Sequence, residues 1–203
     1  MSLWSKISAQ FGKPTGLLGN LAGFIMASRS SNVERSDWAV SLLDLQPTDR
    51  VLEIGFGPGI AIQKMSTIVK EGLIYGIDHS DIMLKQASKR NKEAISSERV
   101  KLLLESVSNL PAFEEPLDKM LDVNSFQFWE DPIEDLKSLR DHLRPGGLIA
   151  LVQQPRKPGA KEEDTIEAGE KFAECLGAAG FKEIRIEQKK MKPVSTVCVL
   201  GKK

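Results

Sequence analysis

The sequence is short of several things. It has only two cysteines, Cys175 and Cys198, with no pairing or metal-ligating spacing between them. That argues against a disulfide framework or a metal site and for reduced thiols in a cytoplasmic protein. Net charge is missing too: 28 Lys and Arg balance 28 Asp and Glu. A dedicated nucleic-acid binder usually carries a basic excess, so no nucleic-acid partner is expected, local patches aside. No apolar run is long enough to cross a bilayer. The nearest approach, residues 16–27, is apolar except for Asn20 and follows Lys6 and Lys13, which loosely imitates a signal peptide. It is short and rich in glycine, and a helix docked on the domain is the expectation. Repeats, low-complexity tracts and long linkers are also lacking. The 203 residues therefore form one domain with a sizeable core.

What is present changes character near residue 46. Residues 1–45 form an N-terminal helical arm, with segments at 2–11, 17–30 and 33–43. The first is broken by Gly12-Lys13-Pro14-Thr15-Gly16, and the third ends at Gln46-Pro47. In that third segment Trp38, Leu42 and Leu45 fall near one face. From 46 to 203 strands alternate with helices. Short apolar runs lie at 50–54, 73–77, 100–104, 117–123 and 148–152, the last launched by Arg144-Pro145-Gly146-Gly147. Helical stretches at 60–69, 81–95 and 133–142 separate them. Such alternation predicts a parallel sheet with helices on both faces. The end differs: a helix over 161–180, then strands at 181–188 and 194–200 with only five residues between them. That gap is too short for a helical crossover, so the two must form an antiparallel hairpin.

The informative stretch runs Val51-Leu52-Glu53-Ile54-Gly55-Phe56-Gly57-Pro58-Gly59-Ile60. A strand enters three glycines at alternate positions and then a helix. Glycine permits a sharp turn and close approach of a ligand, at the strand ends where such sheets bind ligands. The dinucleotide fingerprint G-x-G-x-x-G/A fits only in part. Gly55 and Gly57 match its first half, but its third position is Ile60 and the third glycine falls early, at Gly59. Glu53 precedes the loop, and a carboxylate there repels phosphate and suits a cationic ligand. Asp78 ends the second strand, about 20 residues past the glycines, where an acid can accept both hydroxyls of a ribose.

Together these pieces resemble class I S-adenosylmethionine-dependent methyltransferases, of the branch acting on small molecules and quinones. Glu53-x-Gly55-x-Gly57-x-Gly59 looks like that family's first motif, and Asp78-His79-Ser80-Asp81-Ile82-Met83 like its second-strand signature. Residues 105–111 resemble the adenine-side turn, 118–132 the fourth-strand motif, and Leu143-Arg144-Pro145-Gly146-Gly147 the turn before strand five. The resemblance spans residues 49–200. It implies a Rossmann-like, seven-stranded, mostly parallel α/β sheet with a C-terminal antiparallel hairpin, helices on both faces, and S-adenosyl-L-methionine as cofactor.

By resemblance, Glu53, Gly55, Gly57 and Gly59 border the methionine part of the donor, and Asp78, with His79 beside it, the ribose. Ile82 or Met83 packs on the adenine, Ser106 and Val107 border its edge, and Asn124 lies beside the methyl group. Two departures stand out. Ser106 replaces an acid common in relatives, which weakens its contact with the adenine amino group, and Glu105 replaces a common glycine. The signature N-P-P-(Y/F) is absent, since Ser125 and Phe126 follow Asn124, which argues against methylation of nucleic-acid bases.

Methyl transfer from a sulfonium needs mainly alignment and exclusion of water. No convincing general base stands out. Asn124, Gln127 and Glu130 are weak catalytic candidates; Glu130 and Asp131 also suit the start of the next helix, and His142 the end of it. Gln127 and Trp129 serve equally as loop anchors. The acceptor is expected to be a small molecule, apolar or lipid-like ones included. The N-terminal arm, with Trp4, Phe11, Leu17, Leu18 and Phe24, is the lid candidate and can make peripheral membrane contact. No metal and no stable membrane insertion are expected, and the oligomeric state is not fixed. Two other readings stay open: a regulatory protein that binds the donor without turnover, and a nucleotide-dependent oxidoreductase.

Overall fold

The computed structural model describes residues 30–203. The segments expected at 2–11 and, but for Ser30, at 17–30 lie outside the described residues, as do the lid candidates named above. Helix α1 spans Ser30–Ser41. Strand β1 is Arg50–Ile54, followed by a short helix α2 at Ile60–Met65. Strand β2 is Leu73–Asp78, α3 Asp81–Arg90, α4 Lys92–Ser96 and β3 Val100–Leu104. Strand β4 is Leu117–Val123, and a single 3-10 turn at Phe126–Phe128 leads to α5 at Pro132–His142. Strand β5, Leu143–Gln153, is followed by α6 at Glu162–Ala178, β6 at Lys182–Lys189 and β7 at Thr196–Lys202.

The seven strands are ordered β3-β2-β1-β4-β5-β7-β6. The β1, β2, β3, β4 and β5 pairs are parallel, and β7 runs antiparallel to both β5 and β6. The expected terminal hairpin is therefore present, with β7 inserted beside β5. Strand order reverses between β1 and β4, so a crevice opens there at the carboxyl ends, the usual ligand position in such sheets.

Two apolar layers cover the sheet, and strand residues alternate between them with period two. In β5, Leu148, Ala150 and Val152 pack with α1, α2 and α3, whereas Ile149 and Leu151 pack with α5 and α6. Central β1 and β2 are buried on both faces, while the edge strand β6 carries alternating charges into solvent.

Four sequence expectations shift. The helix expected at 81–95 breaks at Asn91, whose buried side-chain amide donates to Ala87 O at 2.9 Å and Gly59 O at 3.1 Å; such local bonding competes with the helix ladder. The helix expected at 60–69 closes at Met65, with turns after it. Strand β5 starts at Leu143, because that residue pairs with Leu117 across an irregular step before Lys119. Finally, the inward stripe of the N-terminal helix is Asn32, Arg35, Ser36, Ala39, Val40 and Leu43, at helical spacing of three and four. Trp38 and Leu42, expected on that face, are only partly buried beside it.

Candidate active site

The loop from β1 to α2 sits at the strand-order reversal, and its three glycines all have positive φ: 68° at Gly55, 51° at Gly57 and 77° at Gly59. Their surroundings differ. A Cβ on Gly55 would lie 2.4 Å from Ser125 Cβ, so glycine is required there by the turn after β4. A Cβ on Gly59 would lie 2.6 Å from Asn91 Nδ2 and 2.8 Å from Ala87 Cβ, so glycine lets α3 approach the loop. Only at Gly57 does a Cβ meet nothing within 4 Å. Space for a ligand thus opens at the middle glycine, and the outer two serve protein contacts.

Carboxyls surround the loop. Asp78 is 7% exposed and accepts from Gly57 N at 2.8 Å and from Ser80 N at 2.9 Å. Burial raises its pKa against the opposing effect of those two bonds. Each oxygen keeps capacity to accept a further hydroxyl proton. Glu53 is 3% exposed, and its Oε2 has no partner. Burial first, then the negative charges of Asp122 and Asp78, hold its pKa well above the usual range. Asp122 is fully buried on β4 and accepts from Phe126 N at 3.2 Å and from the Ser125 hydroxyl. Burial pushes it up to about 7.

A cluster of buried carboxyls with raised pKa values at a glycine loop is unfavourable for a diphosphate and favourable for a cation, which shifts them toward the ionised form. The orphaned Glu53 oxygen and the open space at Gly57 fit the sulfonium and ammonium of S-adenosylmethionine. Among the described residues no cluster of His, Cys, Asp or Glu could hold a metal ion. A cavity of about 420 Å³ lies at the opposite, amino-terminal edge of the sheet, lined by residues including Thr48, Arg50, Leu73 and Arg99, away from this chemistry.

The remaining sequence candidates divide. His79 is exposed beside Asp78. Met83 is 2% exposed and packs into the core, while Ile82 next to it stays half-buried. Ser106 is exposed, and Val107 is buried in the apolar layer that includes α5 and α6. Asn124 adopts φ 62°, and its Oδ1 accepts from Gln154 N at 2.8 Å, so half of its amide is committed to β5. Gln127 and Glu130 are exposed. Asp131 caps α5 by accepting from Glu134 N, and His142 closes that helix edge-on to Phe113. Trp129 packs against Phe126 with the rings tilted by 46° and their centroids 4.8 Å apart, an anchor of the turn.

Sequence reasoning missed Asp122 and Asn91, and set Ser125 only at the expected mouth of the site, without its contact to Gly55. Asp122 had a signal, a lone acid near the end of an otherwise apolar half-strand. The contacts that Ser125 and Asn91 make gave none, since each touches a glycine distant in the chain.

The chain is similar to known methyltransferases. A family profile described as a methyltransferase domain matches residues 51–147. An uncharacterized methyltransferase, YdaC of Bacillus subtilis (strain 168), is 34% identical over 183 residues, covering 90% of this chain and 98% of its own. A SAM-dependent methyltransferase from Aquifex aeolicus superposes with TM-score 0.71 at 19% identity, over 89% of this chain and 97% of that one. The N-methyltransferase NodS from Bradyrhizobium japonicum, solved with S-adenosyl-L-homocysteine, superposes with TM-score 0.67 at 16% identity, over 87% of this chain and 89% of that one. With the carboxyl-lined glycine loop at the strand-order reversal and a full-length relative at this identity, the chain belongs to the class I S-adenosylmethionine-dependent methyltransferase family.

Proposed function

We propose that the chain methylates a small-molecule acceptor, apolar or lipid-like ones included, by in-line displacement driven mainly by proximity and orientation. The donor supplies a sulfonium-bound methyl group that needs no further activation. In this reading Glu53 and Asp122 hold negative charge near the sulfonium and ammonium. Asp78 accepts from the ribose while keeping Gly57 in place, with His79 at its outer side. Ile82 replaces Met83 as the adenine-side contact, because Met83 is spent in the core. Ser106 and Val107 border the adenine edge, Ser106 through its hydroxyl. Asn124 stands beside the methyl group, and Gln127 and Glu130 lie outside it as weak catalytic candidates.

Alignment carries the rate here. Holding donor and acceptor in line can remove on the order of 7–11 kcal/mol from the barrier. The single observation that supports the reading is the pairing of buried carboxyls with open space at Gly57. The balanced charge of the chain favours a small acceptor over nucleic acid. No helix among the described residues is long and apolar enough to cross a membrane, and cytoplasmic residence with at most peripheral membrane contact fits the proposal. The test is incubation with radiolabelled donor and a metabolite extract. Label transferred to any small molecule supports turnover; tight donor binding with no transfer in any extract would leave a regulatory binder.

A further inference from the structure

One cluster outside the glycine loop combines burial, charge and unused bonding capacity. The inward stripe of α1 is apolar toward its C-terminal end, at Ala39, Val40 and Leu43, and polar toward its N-terminal end, at Asn32, Arg35 and Ser36. Arg35 is 6% exposed. Its Nη1 donates to Gln154 Oε1 at 3.0 Å and its Nη2 to Asn32 Oδ1 at 3.0 Å, while Nε is buried without a partner. Arg156 donates from Nη2 to the same two oxygens, each at 2.8 Å. Two guanidiniums therefore converge on two neutral amide oxygens.

Arg35 has no carboxylate partner among the described residues. The ion pairs among the described residues lie elsewhere, and none includes Arg35. Residues 1–29 contain no Asp or Glu at all, so the rest of the chain cannot supply a side-chain carboxylate either. Burial and the neighbouring Arg156 lower the Arg35 pKa to about 9. A buried guanidinium held only by amides is costly, and such charges are normally paired.

The cluster also has an address. Gln154, which accepts from both arginines, donates its backbone N–H to Asn124 Oδ1. Asn124 precedes Ser125, the residue packed on Gly55. The guanidiniums thus stand one residue and two hydrogen bonds beyond the position proposed to flank the methyl group.

We propose that Arg35, with Arg156, recognises an anionic oxygen group, a carboxylate or phosphate ester, on the methyl acceptor. The inference rests on the methyl-transfer reading and narrows its acceptor to an acid. The planar guanidinium fork suits such groups, and charge-assisted bonds to them are the strong ones. The incoming anion supplies the negative charge that the fold omits, and its position fixes which end of the acceptor faces Asn124.

The test uses the full chain saturated with S-adenosylhomocysteine. Acetate and, separately, inorganic phosphate are titrated at constant ionic strength made up with chloride, and the thermal midpoint is followed. We expect saturable stabilisation by at least one of the two anions. It should be about tenfold weaker in Arg35→Gln, with affinity for S-adenosylhomocysteine held within about twofold. Arg156→Gln, at an exposed position, should weaken it in the same direction and guards against misfolding of the first variant. The absence of any saturable response in wild type with S-adenosylhomocysteine bound overturns the inference and leaves the methyl-transfer reading standing. Loss of anion binding once S-adenosylhomocysteine is bound, together with a large fall of its affinity in Arg35→Gln, also overturns it, because the pair then serves the donor's own carboxylate. Failure of wild type to bind S-adenosylhomocysteine is a different result: it rejects the methyl-transfer reading itself.

Discussion

Asp78 accepts the backbone N–H of Gly57 at 2.8 Å, so the acid proposed to bind ribose also shapes the loop in front of it. Its two duties predict a compound effect. Asp78→Ala loses a charged acceptor for the ribose and releases the middle of the glycine loop. Affinity for S-adenosylhomocysteine should fall by about tenfold to a hundredfold, given the strength of hydrogen bonds to charged groups. Isothermal titration of a folded variant measures it, and unchanged affinity would count against the ribose assignment.

The glycines make separable predictions. Gly57→Leu meets open space, so the protein should fold with a modest penalty of about 1 kcal/mol for its positive φ, yet lose donor binding by occlusion. Gly55→Ala collides instead with Ser125 and should destabilise the fold. Ser125→Gly in that background removes the colliding atoms and should recover part of the loss. Urea melts of the single and double variants give the coupling; strict additivity would mean that Ser125 is not the obstacle.

The glycine loop was legible in the sequence because its spacing and flanking strand are local. The reasons for two of its glycines were not, since each depends on a side chain brought in from elsewhere. The strands at 100–104 and 117–123 were legible to the residue, as apolar runs with clear ends. The break at Asn91 was not legible, because its side-chain bond to Ala87 O is joined by one to Gly59 O across 32 positions. The start of β5 was hidden for a related reason, a proline-glycine turn that pairs in the folded sheet. Arg35 lay furthest from view. Its partner Gln154 is 119 positions away, and in the sequence an arginine in a helix signals a solvent face.

Asp122 should leave a mark on stability against pH. A carboxyl whose folded pKa is raised binds more protons folded than unfolded. Its favourable contribution is full below the unfolded value of 3.8 and is lost as pH rises toward about 7. Glu53 acts in the same direction. Asp122→Asn keeps the acceptor and removes the charge. Relative to wild type it should gain on the order of 2 kcal/mol between pH 5 and pH 8. Urea unfolding at the two pH values reads the difference, and parallel curves would remove Asp122 from the buried titrating set.

The same carboxyls predict proton release on donor binding. A cation favours their ionised forms, so protons held by these raised pKa values, up to about pH 7 at Asp122, should leave when S-adenosylmethionine binds. Affinity for it should rise with pH from 5 to 7. Calorimetry at pH 6 in two buffers of different ionisation heat should give different apparent enthalpies. Identical enthalpies would show that the carboxyls keep their protonation state and that the cation is held by other means.

Arg35 offers a last and less usual expectation, that removing a polar residue stabilises the protein. Arg35→Met deletes a buried charge with no carboxylate partner. It orphans neither acceptor, because Gln154 Oε1 and Asn32 Oδ1 each keep a bond from Arg156 Nη2 at 2.8 Å. Exchanging buried charge for a packed apolar side chain is often stabilising by about 1–4 kcal/mol. For a domain of this size a gain of about 1 kcal/mol corresponds to roughly 2–4 °C in Tm. Ligand-free Arg35→Met should therefore melt above wild type, and acetate or phosphate should narrow the gap by stabilising wild type more than the variant. A variant that melts well below wild type would make Arg35 a structural tie between α1 and β5, held for the fold rather than for a ligand.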